Sequence, residues 1–188
     1  MPKIALLIKE GFEESECLQI VDVMRRSNLA CDLIYFDEPW VISMHGLMVK
    51  GDRAFTQGLE EYDVLVVPGG RPGGQNLLED PNVLDCIRTF AESNKWVCGM
   101  CSGTVVLEAA GVITGNRVTG YTGYEAKLVS AHFQKDVVVV DGKIITSQGP
   151  ATALPFAFQI VEALGMDTKA LRSRMLYDMA SGADILNK

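Results

Sequence analysis

The chain has 188 residues, 48% hydrophobic and 22% charged, which is the composition of one globular domain and excludes a disordered or fibrous protein. Its net charge of −7 argues against nucleic acid and anionic membranes as partners, because both are bound largely through Lys and Arg. The longest uncharged stretch, residues 144–161, contains polar residues and two prolines, so no transmembrane helix is expected.

Apolar segments alternate with amphipathic segments along the chain. In chain order the pattern predicts a strand at 3–8, a helix ending near 27, a strand at 30–36, a hairpin at 41–49, a strand at 64–67, a helix at 80–93, a strand at 95–99, a helix at 102–110, a hairpin at 137–146 with a type I′ turn, and helices at 152–164 and 168–180. Continuously apolar strands separated by helices indicate a mostly parallel sheet with helices on both faces, in a single domain over residues 1–188. Three loops of unusual composition, 11–16, 68–74 and 100–103, leave strand ends and should meet at one edge of this sheet.

The sharpest local signal is the segment Gly99-Met100-Cys101-Ser102-Gly103, between a predicted strand and a predicted helix. Small flanking residues let the chain turn tightly and hold Cys101 above the sheet, as in a nucleophile elbow with sulfur in place of oxygen. The N-terminus of the following helix favours thiolate over thiol. The segment predicts a reactive cysteine; the alternative is a buried cysteine in a glycine-rich bend.

Three acidic residues, Glu13, Glu14 and Glu16, follow the first predicted strand. Acidic side chains commonly stabilise a helix N-terminus, which accounts for one or two of them. Another would reach toward Cys101, where a carboxyl beside a thiolate is pushed toward its neutral form and can shuttle a proton. Spacing alone does not choose among the three.

The loop Pro68-Gly69-Gly70 follows another predicted strand and offers backbone N–H groups without obstructing side chains. With the N–H of Ser102 it would form an oxyanion hole or hold a sulfinate. Taken alone, the same loop would be a plain turn.

The five cysteines are odd in number and follow no secretory signal, which indicates reduced thiols and a cytoplasmic location. A disulfide between Cys98 and Cys101 is not expected. Three extended residues separate their Cα atoms by roughly 9–10 Å, which is more than a disulfide spans.

Only two histidines occur, His45 and His132, and neither flanks the elbow. A cysteine hydrolase needs a histidine near its nucleophile as base. Both are expected at the surface, with His45 kept, like Glu13, as a candidate for lining the site.

Several motifs in this order resemble the ThiJ/PfpI superfamily, and within it the branch of the parkinsonism-associated protein DJ-one and its bacterial relatives. They are Glu13-Glu14-Ser15-Glu16, Val66-Val67-Pro68-Gly69-Gly70, Cys101-Ser102-Gly103 and Thr146-Ser147-Gln148-Gly149-Pro150. The resemblance runs from Lys3 to about Leu164. It implies a flavodoxin-like three-layer α/β sandwich that forms a homodimer.

The resemblance also implies roles for individual residues. Cys101 matches the oxidisable nucleophile of the family, and Glu16 matches the protonated glutamate that hydrogen-bonds it. Gly70 and Ser102 match the backbone donors around the sulfur. The implied function is a cysteine-dependent stress-response protein acting on reactive dicarbonyls, as a glutathione-independent glyoxalase or a deglycase, through a Cys101 hemithioacetal with Glu16 as proton shuttle.

One departure from the family pattern concerns the second proton-transfer group. The branch usually has a histidine after its Val-Thr segment, whereas Tyr121 follows Val118-Thr119-Gly120 here. Because a phenol is a poor base at neutral pH, Tyr121 would only position a carbonyl, and turnover is expected to be slow.

Two alternatives stay open. In the first, the protein is a non-catalytic redox sensor or chaperone in which peroxide oxidises Cys101 to a sulfinate held by neutral Glu16 and backbone donors. In the second, a minor one, it is a cysteine hydrolase with the order Cys101–Glu125–His132. No metal or organic cofactor is expected, because no residues have ligand spacing and no phosphate-binding motif is present.

Overall fold

The computed structural model describes residues 1–55 and 59–182 and centres on a seven-stranded sheet. The strands are β1 Lys3–Leu7, β2 Ala30–Tyr35, β3 Trp40–Ile42, β4 Met48–Lys50, β5 Arg53–Ala54, β6 Val64–Val67, β7 Trp96–Met100, β8 Arg117–Val118, β9 His132–Phe133, β10 Val138–Asp141 and β11 Ile144–Ser147. The order in the large sheet is β10-β11-β7-β6-β1-β2-β5, and only the β10–β11 pair is antiparallel. The predicted, mostly parallel sheet is therefore confirmed.

Helices cover both faces of this sheet. They are α1 Glu14–Arg26, α2 Gly73–Leu78, α3 Pro81–Glu92, α4 Gly103–Ala110, α5 Ala153–Ala163, α6 Lys169–Arg174 and α7 Tyr177–Ser181. Because side chains alternate along a strand, Ile4 and Leu6 of β1 pack with α1 and α5, whereas Ala5 and Leu7 pack with α3 and α4 on the other side. The two apolar layers flank one sheet, as the flavodoxin-like three-layer sandwich requires.

The short strands β5, β8 and β9 were not predicted, and the structure differs from the predicted elements at three further places. The predicted helix 168–180 is two helices, because Leu176 adopts a left-handed backbone (φ 57°) between α6 and α7. The predicted loop 68–74 continues into helix α2, which was not predicted because it begins with two glycines, and glycine has a low helix propensity. In the β10–β11 hairpin only Gly142 of the two turn residues has a positive φ, which is typical of a type II′ turn rather than the predicted type I′.

Within the two described ranges, no helix has both the length and the apolar character that crossing a bilayer requires.

The close approach of α4 to the end of β6 leads to a testable expectation. A Cβ on Gly103, the first residue of α4, would lie 2.1 Å from the carbonyl oxygen of Val67. The atoms around this position belong to the backbone, which cannot easily move aside. We expect Gly103→Ala to lower the free energy of unfolding by roughly 1–3 kcal/mol, the usual cost of overpacking. Urea denaturation measures this change. Gly182→Ala is the control, because the nearest neighbour of a Cβ there would lie at an ordinary contact distance of 3.5 Å. Equal denaturation midpoints for the two variants would contradict the expectation.

Candidate active site

Three loops meet at the carboxyl edge of the sheet, where the sequence predicted that they would. The backbone N–H of Glu13, after β1, donates to the carbonyl oxygen of Gly69, after β6, over 3.0 Å. The N–H of Gly73 donates to the carbonyl oxygen of Gly11 over 3.1 Å. These bonds tie the first two loops together beneath the third, which carries Cys101.

Cys101 occupies a strained turn between β7 and α4. Its φ is 53°, in the left-handed region that L residues rarely adopt, and such strain is typical of residues held in place by a functional site. The surrounding backbone fixes it. The N–H of Cys101 donates to the carbonyl oxygen of Ser147 over 3.2 Å, and the hydroxyl of Thr104 donates to the carbonyl oxygen of Cys101 over 2.8 Å.

Glu16 is the acidic residue that lies beside the sulfur. The N–H of Gly69 donates to Glu16 Oε2 over 2.8 Å. A Cβ on Gly69 would lie 2.8 Å from Cys101 Sγ and 3.0 Å from Glu16 Oε2, so only glycine lets the two groups share this space. Glu13 has a different place, because its Oε2 accepts the Glu16 backbone N–H over 2.7 Å and caps α1.

Burial keeps the Glu16 carboxyl protonated to an unusually high pH. The side chain is fully buried, and desolvation raises its pKa from 4.5 to about 7. The Gly69 N–H and the Cys101 thiol oppose this by lowering the pKa, and the nearby charge of Glu13 adds to it. Because both protonation states are populated near neutral pH, Glu16 can accept and return a proton.

The expected thiolate at Cys101 is not what the resting site favours. Burial raises the pKa of the Cys101 thiol to about 12, and the charge of ionised Glu16 contributes to the rise. The backbone N–H groups of Ser102 and Gly70 act in the predicted direction, but burial outweighs them. A reaction at the sulfur therefore requires the thiol proton to leave, and the carboxyl of Glu16 is a potential acceptor beside it.

Gly70 and Ser102 occupy the positions expected of backbone donors. Both backbone N–H groups lower the pKa of the Cys101 thiol, the effect that donors near a sulfur have. A Cβ on Gly70 would lie 2.2 Å from the carbonyl oxygen of Gly11, and its φ is +118°, so this position requires glycine. An oxygen that becomes negative next to the sulfur would find the same two donors.

A cavity of about 310 Å³ opens over the sulfur. It is lined by the predicted residues Glu13, His45, Gly70, Cys101, Ser102 and Tyr121. Sequence reasoning missed four further lining residues, Met44, Arg71, Tyr124 and Pro150. Arg71 lies within the predicted loop 68–74 and Pro150 ends a family motif, so those two had a sequence signal, whereas Met44 and Tyr124 had none.

Other candidates from the sequence lie elsewhere. Glu125 and His132 do not line the cavity around Cys101, which removes the basis of the hydrolase order Cys101–Glu125–His132. Cys98 is fully buried on β7, as expected for a core residue. A larger cavity of about 610 Å³, between the loops that follow β1 and β2, strand β3 and the junction of α2 and α3, contains none of the predicted site residues.

One group of side chains has the composition of a metal site. Glu13, Glu14 and His45 each offer a ligand atom, and these atoms lie within 4.8 Å of one another at the mouth of the cavity. Two carboxylates and an imidazole would suit a divalent cation such as zinc. The expected absence of a metal stays a prediction.

Comparison with known proteins agrees with the sequence motifs. A family model described as DJ-1/PfpI matches residues 2–163. Among solved structures, DJ-1beta of Drosophila melanogaster superposes with a TM-score of 0.88 at 30% identity, covering 94% of this chain and 98% of that one. The resemblance drawn from the sequence and the flavodoxin-like fold are both confirmed.

Three curated proteins show the functional range of similar chains. The Parkinson disease protein 7 homolog of Danio rerio is 33% identical, covering 85% of this chain and 87% of its own. A glutathione-independent glyoxalase, DJ-1 of Schizosaccharomyces pombe, is 25% identical over 90% and 94%. An isonitrile hydratase of Pseudomonas putida is 37% identical over 74% and 61%.

The raised pKa of Glu16 makes stability depend on pH in a defined direction. Because the folded state holds this proton more tightly than the unfolded chain, the stabilisation is complete below about pH 4.5 and is lost as the pH rises through about 7. The size of the effect is on the order of 3 kcal/mol. Between pH 4.5 and pH 8 we expect the free energy of unfolding of the wild type, measured with urea, to fall by this amount relative to that of Glu16→Gln, which cannot titrate. If the two proteins showed the same dependence of unfolding free energy on pH, Glu16 would not be a buried, protonated carboxyl.

Cysteine labelling tests the exposure of the site. Cys101 is partly exposed, whereas Cys17, Cys31, Cys86 and Cys98 are buried. We expect iodoacetamide to modify one thiol per native chain, faster at higher pH because the pKa of Cys101 is raised. Intact mass should show no modification of Cys101→Ser under the same conditions. Equal labelling of that variant would place the reactive thiol elsewhere.

Proposed function

The chain belongs to the DJ-1/PfpI family, and from this premise we propose that it is a cysteine-dependent enzyme that converts small reactive dicarbonyls to hydroxy acids without glutathione. The observation that carries the proposal is a fully buried carboxyl with a pKa of about 7 beside a partly exposed thiol. A glyoxalase among the similar proteins supports the choice of substrate class.

The first step is the addition of Cys101 to the aldehyde carbon of a dicarbonyl such as methylglyoxal. Sγ forms a bond to carbon as the carbonyl double bond opens, and ionised Glu16 takes the thiol proton. The developing oxyanion lies against the N–H groups of Gly70 and Ser102, and Glu16 then returns the proton to that oxygen. The product is a hemithioacetal.

The second step moves two protons within the bound molecule. Ionised Glu16 removes the C–H proton of the hemithioacetal carbon and delivers it to the neighbouring carbon, while the hydroxyl proton passes to the former ketone oxygen. The result is a thioester of lactate on Cys101. Water then breaks the C–S bond and releases lactate, so no external oxidant or reductant is needed.

Tyr121 and Arg71 complete the cavity without being proton shuttles. The Tyr121 ring lies 5.5 Å from the ring of Tyr124, centroid to centroid, on the cavity wall. Its hydroxyl would orient the substrate ketone by a hydrogen bond. Arg71 offers a guanidinium that suits the carboxylate of the product.

A redox-responsive protein is the second candidate. Its support is the same partly exposed thiol and the same backbone donors, which would hold the oxygens of a sulfinate at Cys101. Deglycase activity, the cytoplasmic location and the homodimer stay predictions. For the homodimer, the side chains of Trp40, Ile42 and Met48, exposed on the β3–β4 hairpin, offer an apolar surface.

The proposal is tested by the formation of lactate from methylglyoxal. We expect multiple turnovers by the wild type, no activity in Cys101→Ala, and at least a roughly hundredfold loss of kcat in Glu16→Gln, because general acid–base catalysis commonly contributes that much. Proton NMR of the product measures all three proteins.

The control outcome decides between the two candidates. Wild-type turnover no faster than that of Cys101→Ala would reject the enzyme. In that case mild peroxide should add two oxygens to the wild type by intact mass and none to the variant. Full activity in Glu16→Gln would reject the proton shuttle alone.

A further inference from the structure

The imidazole of His45 is held at the mouth of the cavity by a carboxylate. His45 Nδ1 lies 2.8 Å from Glu14 Oε1, and His45 lines the same cavity as Cys101. The hairpin tip that carries it is fixed, because the N–H of Met44 donates to the carbonyl oxygen of Phe12 over 2.8 Å. The N–H of Leu47 donates to the hydroxyl oxygen of Ser43 over 3.0 Å. His45 is therefore a positioned side chain.

The contact with Glu14 determines which ring nitrogen is available. An ionised carboxylate only accepts hydrogen bonds, so Nδ1 carries the proton and Nε2 keeps its lone pair. The Glu14 carboxyl is ionised at neutral pH, as glutamate carboxyls ordinarily are, and its 2.8 Å contact with the imidazole favours that state. A carboxylate that orients an imidazole in this way also stabilises the imidazolium formed when Nε2 takes a proton.

His45 differs from Glu16 in its access to water. Glu16 is fully buried behind Gly69, whereas the His45 side chain is 63% exposed while also lining the cavity. Release of a thioester from Cys101 needs a base that reaches an incoming water molecule. Among the residues that line the cavity, His45 is the histidine, and it is exposed to solvent on the same cavity as Cys101.

We propose that His45, oriented by Glu14, is the general base that activates water to release the acyl group from Cys101. The inference rests on the proposed function. Water gives one proton to Nε2 while its oxygen bonds to the thioester carbon, and the negative oxygen lies against the N–H groups of Gly70 and Ser102. The C–S bond then breaks and the proton passes from Nε2 to Sγ. The sum is the addition of one water across the C–S bond, with the thiol regenerated.

The test separates formation of the acyl-enzyme from its hydrolysis. His45→Gln is mixed with methylglyoxal, quenched in acid and analysed by intact mass, with steady-state lactate formation measured in parallel. We expect a lactoyl group to accumulate on Cys101 at one per chain and steady-state turnover to fall roughly hundredfold or more. Added imidazole should restore turnover to His45→Ala, and Glu14→Gln should show a smaller loss. His132→Gln, which changes the other histidine away from the cavity, is the matched control and should behave as wild type.

Every other outcome counts against the proposal. Wild-type turnover in His45→Gln would overturn it and leave the proposed function standing. Slow turnover without an accumulated acyl group and without rescue by imidazole would show that His45 is only structural. Loss of wild-type activity after treatment with EDTA would mean that Glu13, Glu14 and His45 hold a metal instead. No turnover by the wild type itself would reject the proposed function, and this role of His45 with it.

Discussion

The hydrogen bond from the Gly69 N–H to Glu16 Oε2 is the interaction on which the rest of the site depends. It joins the loop after β6 to the first turn of α1 and places the carboxyl under the sulfur of Cys101. No side chain fits at position 69, because a Cβ there would collide with both groups. The sheet topology brings the loops to one edge. Because Gly69 has no Cβ, the carboxyl of Glu16 and the thiol of Cys101 can lie side by side.

The site has two groups that can transfer protons, buried Glu16 and solvent-exposed His45. Glu16 has no access to solvent, so desolvation raises its pKa to about 7 and suits it to moving protons within a bound molecule. His45, paired with Glu14, is exposed to solvent and lines the same cavity as Cys101. Tyr121 lines the same cavity, and under the proposal for His45 the β3–β4 hairpin supplies the imidazole that acts on water.

Much of the fold and part of the site could be predicted from the sequence. Apolar strands, glycine-rich loops and the Cys101 elbow are local patterns that can be recognised in the sequence. The topology of a parallel sheet then predicts that the loops meet at its carboxyl edge. The contact of His45 with Glu14 joins residues 31 positions apart through the path of a hairpin, which no local pattern encodes. The raised pKa of Cys101 could not be predicted from the sequence either. Burial and the charge of Glu16 raise this pKa by more than the backbone N–H groups at the start of α4 lower it. Leu176 broke a predicted helix through a backbone conformation that leucine rarely adopts.

The protonation state of Glu16 is the central claim, and carbon NMR of protein labelled with ¹³C at the glutamate carboxyls measures it directly. Comparison with Glu16→Gln assigns the resonance. The account predicts that this carboxyl titrates with a midpoint near pH 7, well above the other glutamates. A midpoint near 4.5, the ordinary value, would contradict the claim that burial raises the pKa of Glu16, and would leave its carboxylate a much weaker base toward the thiol and C–H protons.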